Sequence, residues 1–239
     1  MRGHHIIVSG SSSGIGKSIS KLLLSKGATV IGLSRSPEKF NPKNPRFKSF
    51  DCDIADLERL PVVVSKIISV FPTIDGFVSN AGFGDFKGLE NFSSDQIVSY
   101  LNANLISHII MTRALIPLMK RQKKGKIIFI GSEAALRGSQ KGSLYNVAKF
   151  GLRGFSQAIR DECAKSNIHV SIVNPGMVRT SFFDRLSFSP GDDSSNAIEP
   201  DDIAKVVFSI FEMRLGTVID EINVSPLNKV IKFNKDEIS

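Results

Sequence analysis

Short runs of apolar residues alternate along the chain with longer stretches in which apolar positions recur every three or four residues. Residues 5–9 read as a buried strand, and residues 16–25 as a helix with Ile19, Leu22 and Leu23 on one face. Gly27 ends that helix and residues 28–33 form a second strand. After a turn-rich loop from Pro37 to Pro45, residues 46–51 predict a third strand and 57–70 a helix that tolerates Pro61 near its first turns. A fourth strand begins over 76–79, and residues 93–120 predict one long helical stretch with Pro117 near its end. Residues 126–131 form a fifth strand, 143–165 a helix, 169–174 a sixth strand and 201–213 a last helix, followed by an apolar segment over 218–224. Parallel neighbours need crossover connections, so this alternation predicts an α/β fold: a doubly wound parallel sheet with helices on both faces.

One stretch breaks the rhythm. Residues 181–200 contain Ser-Pro-Gly-Asp-Asp-Ser-Ser-Asn and little periodicity. An irregular insertion of this length in a compact domain is either a lid over a site or a surface excursion, and its place in the chain favours the lid.

Composition adds constraints of its own. Apolar residues make up 41% and charged residues 23% of the 239, enough apolar material for one large core. No apolar run approaches bilayer length, so no membrane span is expected. Residues 1–5 lead directly into the apolar run 6–8 without the pattern of a secretory signal. Cys52 and Cys163 lie too far apart for a disulfide framework or a metal-ligand spacing and read as small buried hydrophobes. Together these predict a reducing, cytoplasmic setting and no metal. The net charge of +8 is concentrated partly in Lys120, Arg121, Lys123, Lys124 and Lys126. No aromatic residues interleave with that run, so it reads as a solvated helix end and not as a nucleic-acid surface. The positive balance suits an anionic, phosphate-rich small ligand.

A binding loop for such a ligand follows the first strand: Ser9-Gly10-Ser11-Ser12-Ser13-Gly14-Ile15-Gly16. Glycine permits a tight turn and lets backbone approach a ligand without a Cβ in the way. The helix start beyond it offers free N–H groups and a partial positive charge to a pyrophosphate. At the end of the second strand stands Ser34-Arg35-Ser36. An acidic residue there would accept hydrogen bonds from a ribose 2′-hydroxyl, whereas a hydroxyl and a guanidinium favour a 2′-phosphate. NADP(H) is therefore expected over NAD(H); the alternative is that Arg35 is an exposed loop cation and the cofactor NAD.

The fifth strand ends at Ser132, and thirteen positions later comes Tyr145, followed at i+4 by Lys149. On a helix the latter two stack one turn apart on one face. A nearby ammonium favours the phenolate, and a phenol so tuned can protonate a developing alkoxide or deprotonate an alcohol. Ser132, at a strand's carboxyl end, is placed to hydrogen-bond a substrate oxygen.

These residues belong to a longer series. Gly10-Ser-Ser-Ser-Gly14-Ile15-Gly16, Asp53-Ile54, Asn80-Ala81-Gly82, Asn104, Ser132, Tyr145-x-x-x-Lys149 and Pro175-Gly176-x-x-x-Thr180 occur in the order and near the spacings of the short-chain dehydrogenase/reductase family, which the chain resembles over nearly all its length. The resemblance implies a seven-stranded Rossmann sheet with residues 1–239 as a single dinucleotide-binding and catalytic domain, its lid at 181–200. It implies Tyr145 as general acid/base, Ser132 as the residue that orients the carbonyl, and Lys149 as the group that tunes Tyr145 and holds the nicotinamide ribose. Asn104 would hold a water linking Lys149 to a proton relay. Gly10, Ser12, Ser13, Gly14, Ile15 and Gly16 would cradle the pyrophosphate, with Ser34 and Arg35 at the 2′-phosphate. Asp53 and Ile54 would flank the adenine, and Asn80, Ala81 and Gly82 would lie beside the adenosine ribose. Pro175, Gly176, Val178 and Thr180 would line the nicotinamide side, Val178 and Thr180 holding the carboxamide. Singly, the less favoured reading makes Asp53 a helix cap, Asn104 a solvated polar residue and Thr180 a loop hydroxyl.

The chain also departs from the family pattern. Ser79 stands where a second asparagine is usual and Ser9 where threonine is usual, and both keep a hydrogen-bonding side chain. In place of a glycine-rich ending the chain carries Ile219-Asp-Glu-Ile-Asn-Val-Ser-Pro-Leu227, which is similar to the branch of 3-hydroxy-acid dehydrogenases and broad carbonyl reductases and leaves dimer and tetramer open. The predicted function is hydride transfer between NADP(H) and an alcohol or carbonyl; the alternatives are an NADPH-sensing protein without turnover and an NAD-dependent alcohol dehydrogenase. Substrate choice is assigned to Glu133, Leu136, Arg137, Gln140, Met177, Phe182 and Phe183, Arg137 reading either as a carboxylate clamp or as a surface cation. Phe182, Phe183, Leu186 and Phe188 give the lid an apolar inner face that either covers a substrate or anchors the lid.

Overall fold

In a computed structural model describing residues 1–233, the chain runs β1 (His5–Ser9), α1 (Gly14–Ser25), β2 (Thr29–Ser34), β3 (Phe47–Asp51), α2 (Arg59–Val70) and β4 (Gly76–Ser79). It continues through α3 (Ser94–Leu101), α4 (Ser107–Gln122), β5 (Gly125–Ile130), α5 (Ser143–Ala164) and β6 (Ile168–Pro175). The remainder supplies β7 (Phe188–Pro190), α6 (Pro200–Glu212), β8 (Glu221–Val224) and β9 (Ile231–Phe233). Seven strands form one parallel sheet in the order β3-β2-β1-β4-β5-β6-β8.

Alternation within the strands divides the core into two layers, because successive side chains leave a strand on opposite faces. Ile7, Ile31, Phe77, Ile127 and Phe129 pack on one face against Leu60 and Ile67 of α2, Met111 and Leu115 of α4, and Leu152 of α5. Ile6, Val8, Val30, Val78 and Ile128 pack on the other against Ile19 and Leu23 of α1 and Ile203, Val207 and Ile210 of α6. Burial on both faces is what parallel strands require, and it explains their unbroken apolar runs. Both cysteines are free and buried, as the sequence predicts. Among the described residues no helix is long and apolar enough to cross a membrane.

Several boundaries differ from those the sequence predicts. The first helix begins at Gly14 and not at position 16, because the glycine loop itself turns into the helix. The single helix expected over 93–120 is three pieces: α3, a π-helical turn over Asn102–Ile106, and α4. A π-turn inserts one extra residue without interrupting the apolar stripe, so periodicity does not reveal it. The stretch 181–200 is less irregular than expected, since β7 pairs antiparallel with β9, Phe188 opposite Phe233.

Two residues of the basic run have structural duties. The Lys126 ammonium donates to the carbonyls of Ile210 (3.0 Å), Phe211 (3.0 Å) and Met213 (2.7 Å), capping the carboxyl end of α6. Lys124 pairs with Asp75 at 2.8 Å.

The chain order reverses between β1 and β4, which places a crevice at the carboxyl ends of the central strands. The loops after β1, β4, β5 and β6 meet there.

Candidate active site

The loop after β1 is held by backbone and short side chains. Ser9 Oγ accepts from the N–H groups of Asn80 (2.9 Å) and Ala81 (3.0 Å), and Asn80 Nδ2 donates to the Ser9 carbonyl (3.0 Å). These bonds join the glycine loop to the Asn80-Ala81-Gly82 turn. Gly10 has φ +67°, and a Cβ there would lie 2.8 Å from Asn80 Nδ2. A Cβ on Gly16 would collide with the Gly10 carbonyl oxygen and lie 2.6 Å from Asn80 Nδ2. Only glycine fits either place.

This cradle suits a dinucleotide. No side chain caps the start of α1, and no acidic residue stands in its first turn, so its N–H groups face the crevice uncompensated. Ser34 Oγ, at the end of β2, is buried without a hydrogen-bond partner, and Arg35 beside it is exposed. An orphaned hydroxyl and an unburied guanidinium at one strand end match the donors a ribose phosphate would use. Farther along, Asp53 Oδ1 accepts from the Ala55 N–H at 3.0 Å, and Ile54 packs on the core.

From the other side, the segment after β6 closes on the same loop. Gly176 N–H donates to the Val224 carbonyl (2.8 Å), fixing the Pro175-Gly176 exit from the sheet. Val178 is buried and bridges to Ile198. Thr180 Oγ1 accepts from the Phe182 N–H at 3.2 Å, and its methyl would lie 3.2 Å from a Cβ on Gly14.

Ser132 follows β5, and Tyr145 and Lys149 lie on the first turns of α5. Ser132 is buried and accepts from the Ala134 N–H at 3.2 Å, and its hydroxyl acts on the Tyr145 phenol to lower its pKa. Lys149 is buried, with its Nζ donating to the Ile130 carbonyl (3.1 Å) and lying 5.7 Å from the centroid of the Tyr145 ring. Burial pushes the Tyr145 phenol up, the Ser132 hydrogen bond draws it down and the Glu133 charge pushes it up again. The Lys149 ammonium sits over the ring and donates to a carbonyl. Burial also lowers Lys149 to about 8.

Asn104 sits in the π-turn and is fully buried. Its Nδ2 donates to the Tyr100 carbonyl (3.1 Å), and its Oδ1 accepts from the Phe83 N–H (3.0 Å). The extra residue of the turn aims this side chain inward, and the reading of Asn104 as a solvated polar residue falls away.

Of the substrate candidates, Leu136, Arg137 and Gln140 are exposed. Met177 is buried, and Glu133 pairs with Lys229 at 2.6 Å. Two residues near the site were not singled out from the sequence. Phe86, in the loop after β4, lies 5.1 Å from the Tyr145 ring, centroid to centroid. His108, on α4, places Nδ1 2.6 Å from Ser79 Oγ. Phe86 carried a faint signal, an aromatic residue shortly after a strand's carboxyl end; His108 carried none, because it falls within an apolar helical stripe.

The model of the short chain dehydrogenase family matches residues 4–188. The chain is 28% identical over 239 residues to a sepiapterin reductase of Chlorobaculum tepidum, covering 93% of this chain and 96% of that one. It is 30% identical over 244 residues to an NADP-dependent 3-hydroxy acid dehydrogenase of Schizosaccharomyces pombe, covering 94% and 93%. Among solved structures it is similar to a metagenomic short-chain oxidoreductase in complex with NADP, at a TM-score of 0.82 and 29% identity, covering 95% of this chain and 99% of that one.

Proposed function

Since the chain belongs to the short-chain dehydrogenase family, and so is an oxidoreductase of alcohol or carbonyl groups, we propose that it takes NADP(H) as cofactor and Tyr145 as general acid and base. The observation that carries this reading is the grouping of Ser132, Tyr145 and Lys149 beside the glycine cradle, with the buried Lys149 ammonium 5.7 Å from the phenol ring.

When bound, the nicotinamide supplies or accepts the hydride. In the reducing direction the Tyr145 hydroxyl gives its proton to the carbonyl oxygen as the new C–H bond forms, and in reverse the phenolate removes it. Ser132 Oγ hydrogen-bonds the same oxygen and fixes its position. Lys149 holds the ribose and favours the charged form of Tyr145 once the site is filled. Asn104 anchors a water leading from Lys149; its amide has one N–H, and its oxygen one lone pair, beyond the bonds to Tyr100 and Phe83.

The pyrophosphate is assigned to Gly10, Ser12, Ser13, Gly14, Ile15 and Gly16, and the 2′-phosphate to Ser34 and Arg35. Asp53 and Ile54 are assigned to the adenine, Asn80, Ala81 and Gly82 to its ribose, and Pro175, Gly176, Val178 and Thr180 to the nicotinamide side. Residues 181–200 act as the lid. The test is loss of NADPH absorbance with a panel of ketones, aldehydes and 3-oxo acids, in the natural chain and in Tyr145→Phe. Turnover that stops in the variant while NADPH still binds is the expected result; turnover that persists would remove Tyr145 from this role.

A further inference from the structure

Phe86, Phe182, Phe183 and Phe188 come from three separate segments and pack into one cluster on the Tyr145 ring. Centroid distances are 5.1 Å for Phe86–Tyr145, 6.0 Å for Tyr145–Phe182 and 5.1 Å for Phe86–Phe188. Phe183 closes the ring of contacts, 5.2 Å from Phe182 and 5.9 Å from Phe188. Gly84 makes the approach possible: a Cβ there would lie 2.5 Å from Phe182 Cζ and 2.7 Å from Phe86 Cε2. Phe188 is held in place from far along the chain, through the pairing of β7 with β9 and an ion pair between Lys232 and Asp192 at 2.7 Å.

We propose that this cluster is the substrate-selecting part of the site, and that it takes an uncharged carbonyl compound with a planar aromatic body beside the carbonyl. The inference rests on the assignment of Tyr145 as the acid and base. The rings touch one another and Tyr145, so an entering substrate must replace the ring contacts it separates. Edge-to-face and offset pairs contribute beyond area burial. A flat aromatic body restores them and a short aliphatic chain does not. Negative charge is disfavoured on two grounds. Glu133 presents a carboxylate next to Ser132, and the cation paired with it, Lys229, is already committed. Among the described residues, cations stack on Phe40, Phe92, Phe208 and Tyr145 but on none of the four phenylalanines. A carboxylate entering the cluster would lose its hydration without a partner.

Three probes test this with NADPH: an aryl methyl ketone, an aliphatic methyl ketone of similar size, and an aryl keto acid. In the natural chain kcat/KM for the aryl ketone is expected to exceed that for the aliphatic one by about tenfold, the worth of one or two ring pairs, and the keto acid to be poorer still. Phe86→Leu and Phe182→Leu, which keep volume and lose the ring, are each expected to reduce the aryl-to-alkyl ratio roughly threefold to tenfold. Phe182→Arg supplies the missing cation and is expected to raise the keto acid relative to the aryl ketone. A ratio near one in the natural chain, or one that neither leucine variant moves, would overturn the proposal. So would silence with all three probes in protein that still quenches or enhances NADPH fluorescence on binding. Tyr145→Phe, run beside them, separates the two readings. Persisting turnover in that variant defeats the catalytic assignment, whereas lost turnover with a flat ratio defeats only the aromatic cluster.

Discussion

On the β1 side of the crevice, the loop from Ser9 to Gly16 is fixed by hydrogen bonds of the Ser9 hydroxyl and carbonyl to Asn80 and Ala81 and by glycines that leave no room for a Cβ. On the β6 side, the wall around Tyr145 consists of phenylalanine rings whose positions depend on a two-stranded ribbon closed by Ile231–Phe233. The first wall is built of backbone and short side chains around an uncapped helix start, an environment that suits an anionic group. The second is long-range and built of side chains, so its shape follows whichever residues happen to face inward. Shared cofactor and variable substrate are the natural outcome of that division.

Substitutions can break the division or sharpen it. Tyr145→Phe is expected to have the largest effect, lowering kcat by about 10²- to 10⁴-fold while NADPH titrations still saturate. Loss of NADPH binding in that variant would mean the two walls are not separable. Gly16→Ala is expected to act oppositely: its Cβ meets the Gly10 carbonyl oxygen and Asn80 Nδ2. Overpacking of this kind costs about 1–3 kcal/mol, read as a lower thermal midpoint and weaker NADPH affinity. An unchanged melting curve with and without NADPH would show that the loop is looser than the bonds to Ser9 suggest.

His108 lies behind the turn that both walls share, and its titration reports on that turn. Burial, followed by the nearby Lys149 charge, lowers it from 6.5 to about 3. The folded state therefore holds the ring neutral while the unfolded chain binds a proton below 6.5. Its contribution to stability is present above that value and lost as pH falls towards about 3. The urea midpoint of the natural chain should fall with acidification through that window, and that of His108→Asn should fall less steeply. Equal slopes would place the acid sensitivity elsewhere.

The smallest expected effect is at Arg35. Because the side chain is exposed, solvent limits what its charge contributes, and Arg35→Asp is expected to move the NADPH-to-NADH ratio of kcat/KM by about fivefold towards NADH. A ratio that does not move would remove Arg35 from the 2′-phosphate site and leave Ser34 there alone.

What could be read from the sequence follows the same division. The order of strands and helices is legible because period-two and period-3.6 patterns are local. The glycine loop and the Tyr145–Lys149 pair are legible because their chemistry depends on residues fewer than ten positions apart. The π-turn at Asn102–Ile106 was not legible, since one extra residue leaves the apolar stripe of α3 and α4 unbroken. Nor was the strand at Phe188–Pro190, three residues long and paired with a segment more than forty positions away. The sequence by itself determined the parallel sheet, the glycine loop between its first strand and helix, and the Tyr145–Lys149 pair on one helix face. Only the tertiary structure decided that Asn104 is fully buried, that Lys126 caps a helix, and that Phe86 packs on the Tyr145 ring. Each of these depends on burial and on contacts between distant segments, which have no period along the chain.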